Sequence, residues 1–333
     1  MKVFITNLPA FYKIKLYNRI AMQIPIFVIF TGLNGNDRNK DFFNGQMNFQ
    51  YFFLNGNVFK KVYQLIFSLK KLQYTELVIG GWDSLYYWIA NLLSNKNKNA
   101  LAVESSYLES SATGYKAILK RFFLRRVKKI YASGKSNVKL VKLLRYNGEI
   151  VITKGVGVFN YIKQPEFQKR NSVKNFLYVG RLVKEKNLEY LIQKFNAYPD
   201  LTLNIIGFGK QESLLKQQAK SNIHFIGAVD NNDLPKYYQD ADVFILPSIS
   251  ETWGLVVEEA LNNGTPVMVS NHVGCAEELI NEQTGIVFSL ENDNFDEKLQ
   301  EMLNLNRYNA MRKYISNLDF ESREQYQVNC YTR

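Results

Sequence analysis

Cysteine is almost missing from this chain: Cys275 and Cys330 are the two in 333 residues. Two thiols cannot build a disulfide framework and have no metal-ligand spacing, so a reducing compartment is expected. Histidine is equally scarce, with His224 and His272 alone, and neither a Ser-His-Asp triad nor a P-loop signature can be assembled. Long apolar runs are also lacking. The most apolar stretch, Ile24 to Leu33, is about half the length a membrane-spanning helix needs. The opening twenty residues have no long apolar region followed by a cleavage site and read as a strand, a turn and a helix. The expectation is a cytoplasmic protein, soluble or held peripherally on the inner face of the membrane.

What is present is enough apolar material for two cores. The length fits two domains of about 150 residues each, and 46% of the residues are hydrophobic. Charge is unevenly spread. Residues 1–165 hold 25 Lys and Arg against 7 Asp and Glu, a balance of +18, whereas residues 166–333 hold 17 against 23, a balance of −6. The first half is therefore expected to face something anionic: a membrane leaflet, a phosphorylated acceptor or a nucleic acid.

Short runs rich in Val, Ile and Phe alternate with longer amphipathic segments. Val3–Ile5, Phe27–Phe30, Leu77–Ile79, Ala100–Val103, Lys129–Ala132 and Ile150–Ile152 read as strands. In the second half the strand candidates are Asn175–Val179, Leu201–Ile206, His224–Ile226, Val243–Leu246, Pro266–Val269 and Gly285–Phe288. Helical patterns fit between them, so each half is expected to be a doubly wound α/β domain with a parallel sheet. The polar, aperiodic stretch Tyr161–Lys174 is the expected linker. It separates an N-terminal domain, residues 1–163, from a C-terminal one, residues 164–305. One helical region is expected over Asp296–Tyr314. Residues 306–333 form a helical segment and polar tail, free to return to the first domain.

The most informative segment runs from Pro247 to Pro266. It follows a strand, turns at Gly254, opens a helix near Leu255 and stops at Asn263-Gly264. The free amides near Gly254 and Leu255 suit a phosphate. Glu251, before the helix, and Glu259, about one turn inside it, are placed to hold hydroxyls of a sugar and a ribose. The bland alternative makes Glu251 a partner of the helix dipole and leaves Glu258 and Glu259 solvated. After an earlier strand, Gly180-Arg181 and Lys186 offer a bidentate phosphate grip and a point charge, or else two surface cations. Gly207-Phe208-Gly209 would let backbone approach a nucleotide.

With these motifs in order, the stretch Asn175–Phe288 resembles the family-4 glycosyltransferases, the glycosyl transferases group 1, through Val179–Asn187, Ile206–Gly209, Phe225–Gly227, Ala241–Ser248, Glu251–Glu259 and Gly264–Val267. The resemblance implies the GT-B architecture of two facing Rossmann-like domains and a retaining reaction that uses a nucleotide-diphosphate sugar. It also implies that Glu259 binds the donor ribose and that Glu251 contacts the donor sugar, with Thr252, Trp253 and Gly254 presenting backbone. Arg181 and Lys186 would meet the diphosphate. The chain has Thr252-Trp253 where the family often has Gly-Phe. The donor is expected to be a UDP- or GDP-sugar, and the acceptor a glycan or a lipid-pyrophosphate-linked saccharide of bacterial surface polysaccharide assembly, O-antigen or capsule. No obligatory metal and no cofactor beyond the donor are expected. Asp240-Ala-Asp242 has the look of a metal motif but lies where a capping or turn role is expected.

The first half is quieter. In place of a Gly-Gly loop it has Pro9 followed by Tyr12-Lys13, like a branch of the family with Tyr-Arg there. Asp83, after Leu77–Ile79, and Glu104, after Ala100–Val103, are candidates to orient an acceptor hydroxyl or take its proton; each could instead belong to a helix cap. The segment Tyr115–Lys129 is strongly cationic. It reads either as a basic amphipathic helix at an anionic membrane or as a domain helix with Ile118, Leu119 and Phe122 turned inward. Besides an inactive sugar-binding relative, against which the intact Arg181, Lys186, Glu251 and Glu259 argue, two rival readings are a GT-B sugar-nucleotide epimerase and a nucleic-acid-binding protein. The first lacks suitable acidic and histidine groups near the donor motifs. The second lacks any recognition motif, and no nucleic-acid partner is expected.

Overall fold

Runs such as Lys2–Thr6 are buried at every residue, with Val3, Phe4 and Ile5 apolar between Lys2 and Thr6, which suits strands covered on both faces. In the computed structural model, which describes residues 1–32, 40–43, 45–107, 110–159 and 161–333, two parallel sheets are built from such runs. Leu33, the end of the apolar stretch noted above, lies outside the described residues. The chain forms two compact units, residues 1–158 with 321–333 and residues 159–320.

In the first unit the order is β1 (Lys2–Thr6), α1 (Phe11–Ala21), β2 (Ile26–Phe30), β3 (Gln50–Phe53), α2 (Val58–Lys71), β4 (Glu76–Ile79), α3 (Leu85–Leu93), β5 (Asn99–Val103), α4 (Gly114–Leu124), β6 (Lys129–Ala132), α5 (Lys135–Leu143) and β7 (Glu149–Ile152). The sheet order is β3-β2-β1-β4-β5-β6-β7, all parallel, with Val3 beside both Phe27 and Leu77. Side chains alternate across it. Val3, Ile5, Leu77 and Ile79 join one core with α2, α3, α4 and α5, while Phe4, Val28 and Val78 join another with α1.

The second unit runs β8 (Asn175–Val179), α6 (Leu188–Phe195), β9 (Thr202–Ile206), α7 (Glu212–Gln218), β10 (Ile223–Gly227), α8 (Leu234–Asp240), β11 (Val243–Leu246), α9 (Leu255–Asn262), β12 (Val267–Ser270), α10 (Ala276–Leu279), β13 (Gly285–Phe288), α11 (Phe295–Leu303) and α12 (Leu305–Ile315). Its sheet order is β10-β9-β8-β11-β12-β13. The order reverses between β8 and β11, and open α/β sheets bind ligands beyond the carboxyl ends of their strands at such a point.

The structure departs from the sequence expectation in four places. An additional strand, β3, lies at the sheet edge, where Gln50 and Tyr51 are exposed; the short apolar run Tyr51–Leu54 marks it, but the sequence expectation did not include it. The stretch Tyr161–Lys174 is not a free linker: Ile162 N donates to Asn262 Oδ1 at 2.9 Å and Arg170 N to Asn309 Oδ1 at 2.9 Å, strapping it to the second unit. Asp296–Tyr314 is two helices, broken at Asn304, whose side chain accepts from Arg307 N at 3.1 Å. α12 belongs to the second unit, with Tyr308 donating to the Asp242 carbonyl at 2.9 Å. The tail is a helix, α13 (Phe320–Thr332), and its residues from 321 on belong to the first unit, where Tyr331 stacks on Tyr131 at 4.4 Å. Among the described residues no helix is long and apolar enough to cross a membrane.

Candidate functional site

Beyond β8 the chain must turn sharply, and Gly180 and Gly207 make this possible. Gly207 has φ +134°, and a Cβ there would stand 1.9 Å from the Gly180 carbonyl oxygen; one at Gly209 would stand 2.3 Å from that of Leu182. The loops after the neighbouring strands β8 and β9 thus lie backbone against backbone. They are tied by Gly180 N to Ile206 O at 3.0 Å and Leu182 N to Phe208 O at 2.9 Å. The buried Tyr178 hydroxyl donates to the Arg181 carbonyl at 2.9 Å and fixes the turn. Burial, and then the nearby Glu251 carboxylate, push the Tyr178 phenol well above the usual tyrosine range, and Arg181 acts in the opposite sense. Arg181 and Glu251 therefore flank one phenol. The Arg181 guanidinium makes no hydrogen bond or ion pair among the described residues.

Across the switch point, the loop after β11 carries Glu251. Its carboxylate forms a close ion pair with Lys186 Nζ, and each side chain keeps only about 15% of its exposure. Ile249 N donates to the Glu185 carbonyl at 3.0 Å, joining the two loops again. On the other side Glu251 bridges Val273, and Gly274 N and Cys275 N donate to the carbonyls of Glu251 and Trp253, both at 2.9 Å. Gly254 then opens α9 with φ +99°, a left-handed geometry that glycine adopts without strain.

The Trp253 indole is buried and its N–H donates to Glu258 Oε2 at 2.9 Å. Glu258 is therefore not the solvated charge of the bland alternative; it anchors the loop. Glu259, on the second turn of α9, accepts from the buried Tyr238 hydroxyl at 2.9 Å. Leu255 is half-buried at the start of the same helix, and Thr252 is exposed beside it.

Of the candidates in this unit, Gly180 and Gly207 meet directly, as do Lys186 and Glu251, with Arg181 on the phenol between. Glu259 lies on α9, the helix that the Gly254 turn opens, and is held there by Tyr238. Tyr178, Tyr238 and the Trp253–Glu258 bond were missed by sequence reasoning. Tyr178 was hidden inside an apolar strand, and Tyr238 is 21 residues from the carboxylate it holds, so local spacing carries no signal for either.

Asp242 has a structural duty. Its Oδ2 accepts from Lys174 N and Asn175 N, both at 2.9 Å, at the start of β8. Among the described residues no group of three His, Cys, Asp or Glu is arranged to hold a metal. His224 is exposed on β10, and His272 pairs with Glu291 Oε1 at 2.5 Å.

In the first unit, loops after β1, β4 and β5 converge. Lys13 Nζ meets Glu104 Oε1 at 2.8 Å. Burial works against the Lys13 ammonium, but Glu104 beside it prevails and its pKa stands well above the usual lysine value. Tyr87 donates to Asn7 Oδ1 at 2.8 Å, and Gly80 N to the Ile5 carbonyl at 2.8 Å. Asp83 is exposed, and the cap of α3 is Ser84, whose oxygen accepts from Tyr86 N at 3.3 Å. Asp83 and Glu104 do not touch, though both act on the Tyr87 phenol.

Residues 162–318 match the family described as Glycosyl transferases group 1. A 41.2 kDa protein in the cps region of Klebsiella pneumoniae is 32% identical over 165 residues, 48% of this chain and 45% of that protein. A glycogen synthase of Mycobacterium tuberculosis is 37% identical over 126 residues, 35% of this chain and 30% of that protein. The matches thus span less than half the length of these curated relatives. Among solved structures, the lipopolysaccharide outer core galactosyltransferase WaaB matches with a TM-score of 0.73 at 16% identity over 99% of both chains. HepE of Anabaena in complex with UDP-glucose matches at 0.69 and 12%, again over 99% of both. Both likenesses show the fold.

Proposed function

We propose that this chain, whose residues 162–318 match the glycosyl transferases group 1 family, is a glycosyltransferase that moves a sugar, with retention of anomeric configuration, from a nucleoside-diphosphate sugar to a hydroxyl of a glycan or lipid-linked saccharide. One observation carries the reading. The Lys186–Glu251 ion pair joins the loops after β8 and β11 at the reversal of strand order, beside Arg181 and the start of α9.

In this reading the diphosphate lies between Arg181, Lys186 and the first amides of α9, where fixed positive charge and oriented N–H groups favour an anion. Gly180, Gly207 and Gly209 let backbone approach it. Glu251 holds hydroxyls of the donor sugar, and Thr252 beside it tunes donor choice. Glu259, oriented by Tyr238, holds the ribose. The bond from the anomeric carbon to the β-phosphate oxygen breaks with its electron pair on the phosphate, where the two cations stabilise the growing charge. The acceptor oxygen bonds to the same face of the carbon, and its proton passes to the departing phosphate oxygen. No metal is assigned a part. In the first unit Glu104, paired with Lys13, and the exposed Asp83 orient the acceptor.

The cps region in one relative's name and the lipopolysaccharide in one neighbour's title support an acceptor from bacterial surface polysaccharide assembly. UDP-glucose in another neighbour's title supports a UDP-sugar, with GDP-sugars the alternative. Such an acceptor also favours a protein held peripherally at the inner membrane face. The test is melting temperature in the presence of UDP-, GDP-, ADP- and CMP-sugars. A rise with a nucleoside-diphosphate sugar, abolished in Arg181→Ala, is expected; no rise with any of them refutes the reading. With donor and acceptor in hand, an inverted product by anomeric NMR refutes retention.

A further inference from the structure

The first unit carries a surface that donor chemistry does not use. α2, α3, α4 and α5 all bury residues in one cluster, among them Leu65, Tyr87, Phe123 and Leu140, so they form one layer on one side of the sheet. α2 lies against α3, and Trp88 of α3 stacks with Phe122 of α4 at 6.5 Å. Lysine and arginine number four in α2, three in α4 and three in α5, and none of the four helices contains an Asp or Glu.

A solvent-facing helix surface is ordinarily polar. Here it is not. On α2 Phe59 is 86% and Tyr63 69% exposed, and Tyr63 stacks on the exposed Phe67 at 6.2 Å. On α3 Leu93 is 61% exposed, and on α4 Ile118 is 63% exposed. The face of α4 formed by Ile118, Leu119 and Phe122, for which an inward orientation was one expectation, points outward; the helix packs on Ala117, Phe123 and Leu124 instead. Exposed lysines stand among these side chains, Lys60 on α2, Lys116 on α4 and Lys139 on α5.

Large exposed apolar side chains gathered on one helix layer mark an interaction site, and cations on helices that hold no Asp or Glu favour an anionic partner. A nucleic acid would satisfy the lysines but gives Ile118 and Leu119 no apolar depth to enter. A bilayer with anionic headgroups satisfies both. We propose that the outer face of α2–α5 docks on an anionic lipid bilayer, the aromatic and aliphatic side chains entering among the headgroups and the lysines lying on lipid phosphates. This names the surface behind the peripheral attachment proposed above, on which it rests, yet it is testable without turnover.

Co-sedimentation with phosphatidylcholine vesicles, with and without phosphatidylglycerol, tests it on the full chain. Strong binding to the anionic vesicles only is expected. Each basic residue near an anionic leaflet is worth about fivefold in partition, so Lys60→Gln with Lys116→Gln should lower binding by roughly 25-fold. Phe59→Ser with Ile118→Ser should leave binding that high salt fully reverses, whereas the unaltered chain resists salt. All four positions are exposed, and unchanged melting temperatures confirm folding. The proposal is overturned by equal binding to neutral vesicles, by no binding, by unchanged partition in both double variants, or by tight binding of duplex DNA with none to vesicles. A melting rise with donor sugar on the same sample separates these outcomes from failure of the transferase reading.

Discussion

Lys186→Met separates the catalytic role proposed for Lys186 from the structural role of the ion pair. An exposed pair is worth about 0–1 kcal/mol, whereas removing one partner of a fully buried pair costs about 3–5 kcal/mol because a charge is stranded. Lys186 and Glu251 retain 15% and 14% of their side-chain exposure, so stranding Glu251 is expected to cost about 2 kcal/mol. For a unit of this size that lowers the melting temperature by about 4–8 °C. The double variant Lys186→Met with Glu251→Gln strands no charge and should regain most of that stability. Turnover behaves differently. Lys186 is assigned to charge that grows on the departing phosphate, so its loss should lower kcat about 100-fold, and the double variant should not recover it. Thermal melting and steady-state kinetics on the three variants, each single change and the pair, measure both quantities. Recovery of turnover together with stability in the double variant, or an unchanged kcat in Lys186→Met, would refute the assignment.

Gly207→Ala places a Cβ 1.9 Å from the Gly180 carbonyl at φ +134°, while Gly227→Ala, at φ +88°, meets nothing within 4 Å. The second should cost only backbone strain, about 1–2 kcal/mol. The first should lower the urea midpoint further and abolish donor binding, because the loop carrying Arg181 must move. Tyr238→Phe removes a hydrogen bond to Glu259 without opening a cavity; a bond to a charged group is worth about 1.5–3 kcal/mol, so donor affinity should fall at least tenfold in calorimetry with kcat nearly unchanged. Hydrogen bonds from Asn271 first, then His272 and Ser289, depress the Glu291 pKa to about 2. A depressed carboxylate stabilises the fold above its unfolded pKa and loses that contribution as pH falls through its folded value. The unaltered chain should therefore lose melting temperature between about pH 4 and pH 2 more steeply than Glu291→Gln, and parallel curves would exclude the linkage.

How far the sequence could be read depended on whether a feature was local. β8, β11 and α9 follow from apolar runs closed by Gly, Asn or Pro, and their bounds match the expectation. β3 carries only the short run Tyr51–Leu54, and as an edge strand it leaves Gln50 and Tyr51 exposed, so its pattern does not single it out as a strand. The bounds of α13 are not legible within the expected helical segment and polar tail, because only a few of its residues, Val328 and Tyr331 among them, are buried, too few to mark a helical period. The candidate site was legible where glycine, cation and carboxylate follow a strand end. It was illegible where a buried hydroxyl or indole from a distant segment holds the carboxylate, as with Tyr238 and Glu259 or Trp253 and Glu258.

The sequence by itself determined two parallel α/β units, the order of the glycine, cation and carboxylate motifs after the strand ends of the second unit, and the excess of cations in the first half, because each is written in periodicity or composition. Only the tertiary structure decided that Lys186 closes on Glu251, that Glu104 is held by Lys13, and that Ile118 and Phe59 face outward rather than in. Those outcomes depend on which strands become neighbours and which side of a helix meets the sheet. That choice is made by the burial energy of the whole unit, which no single segment contains.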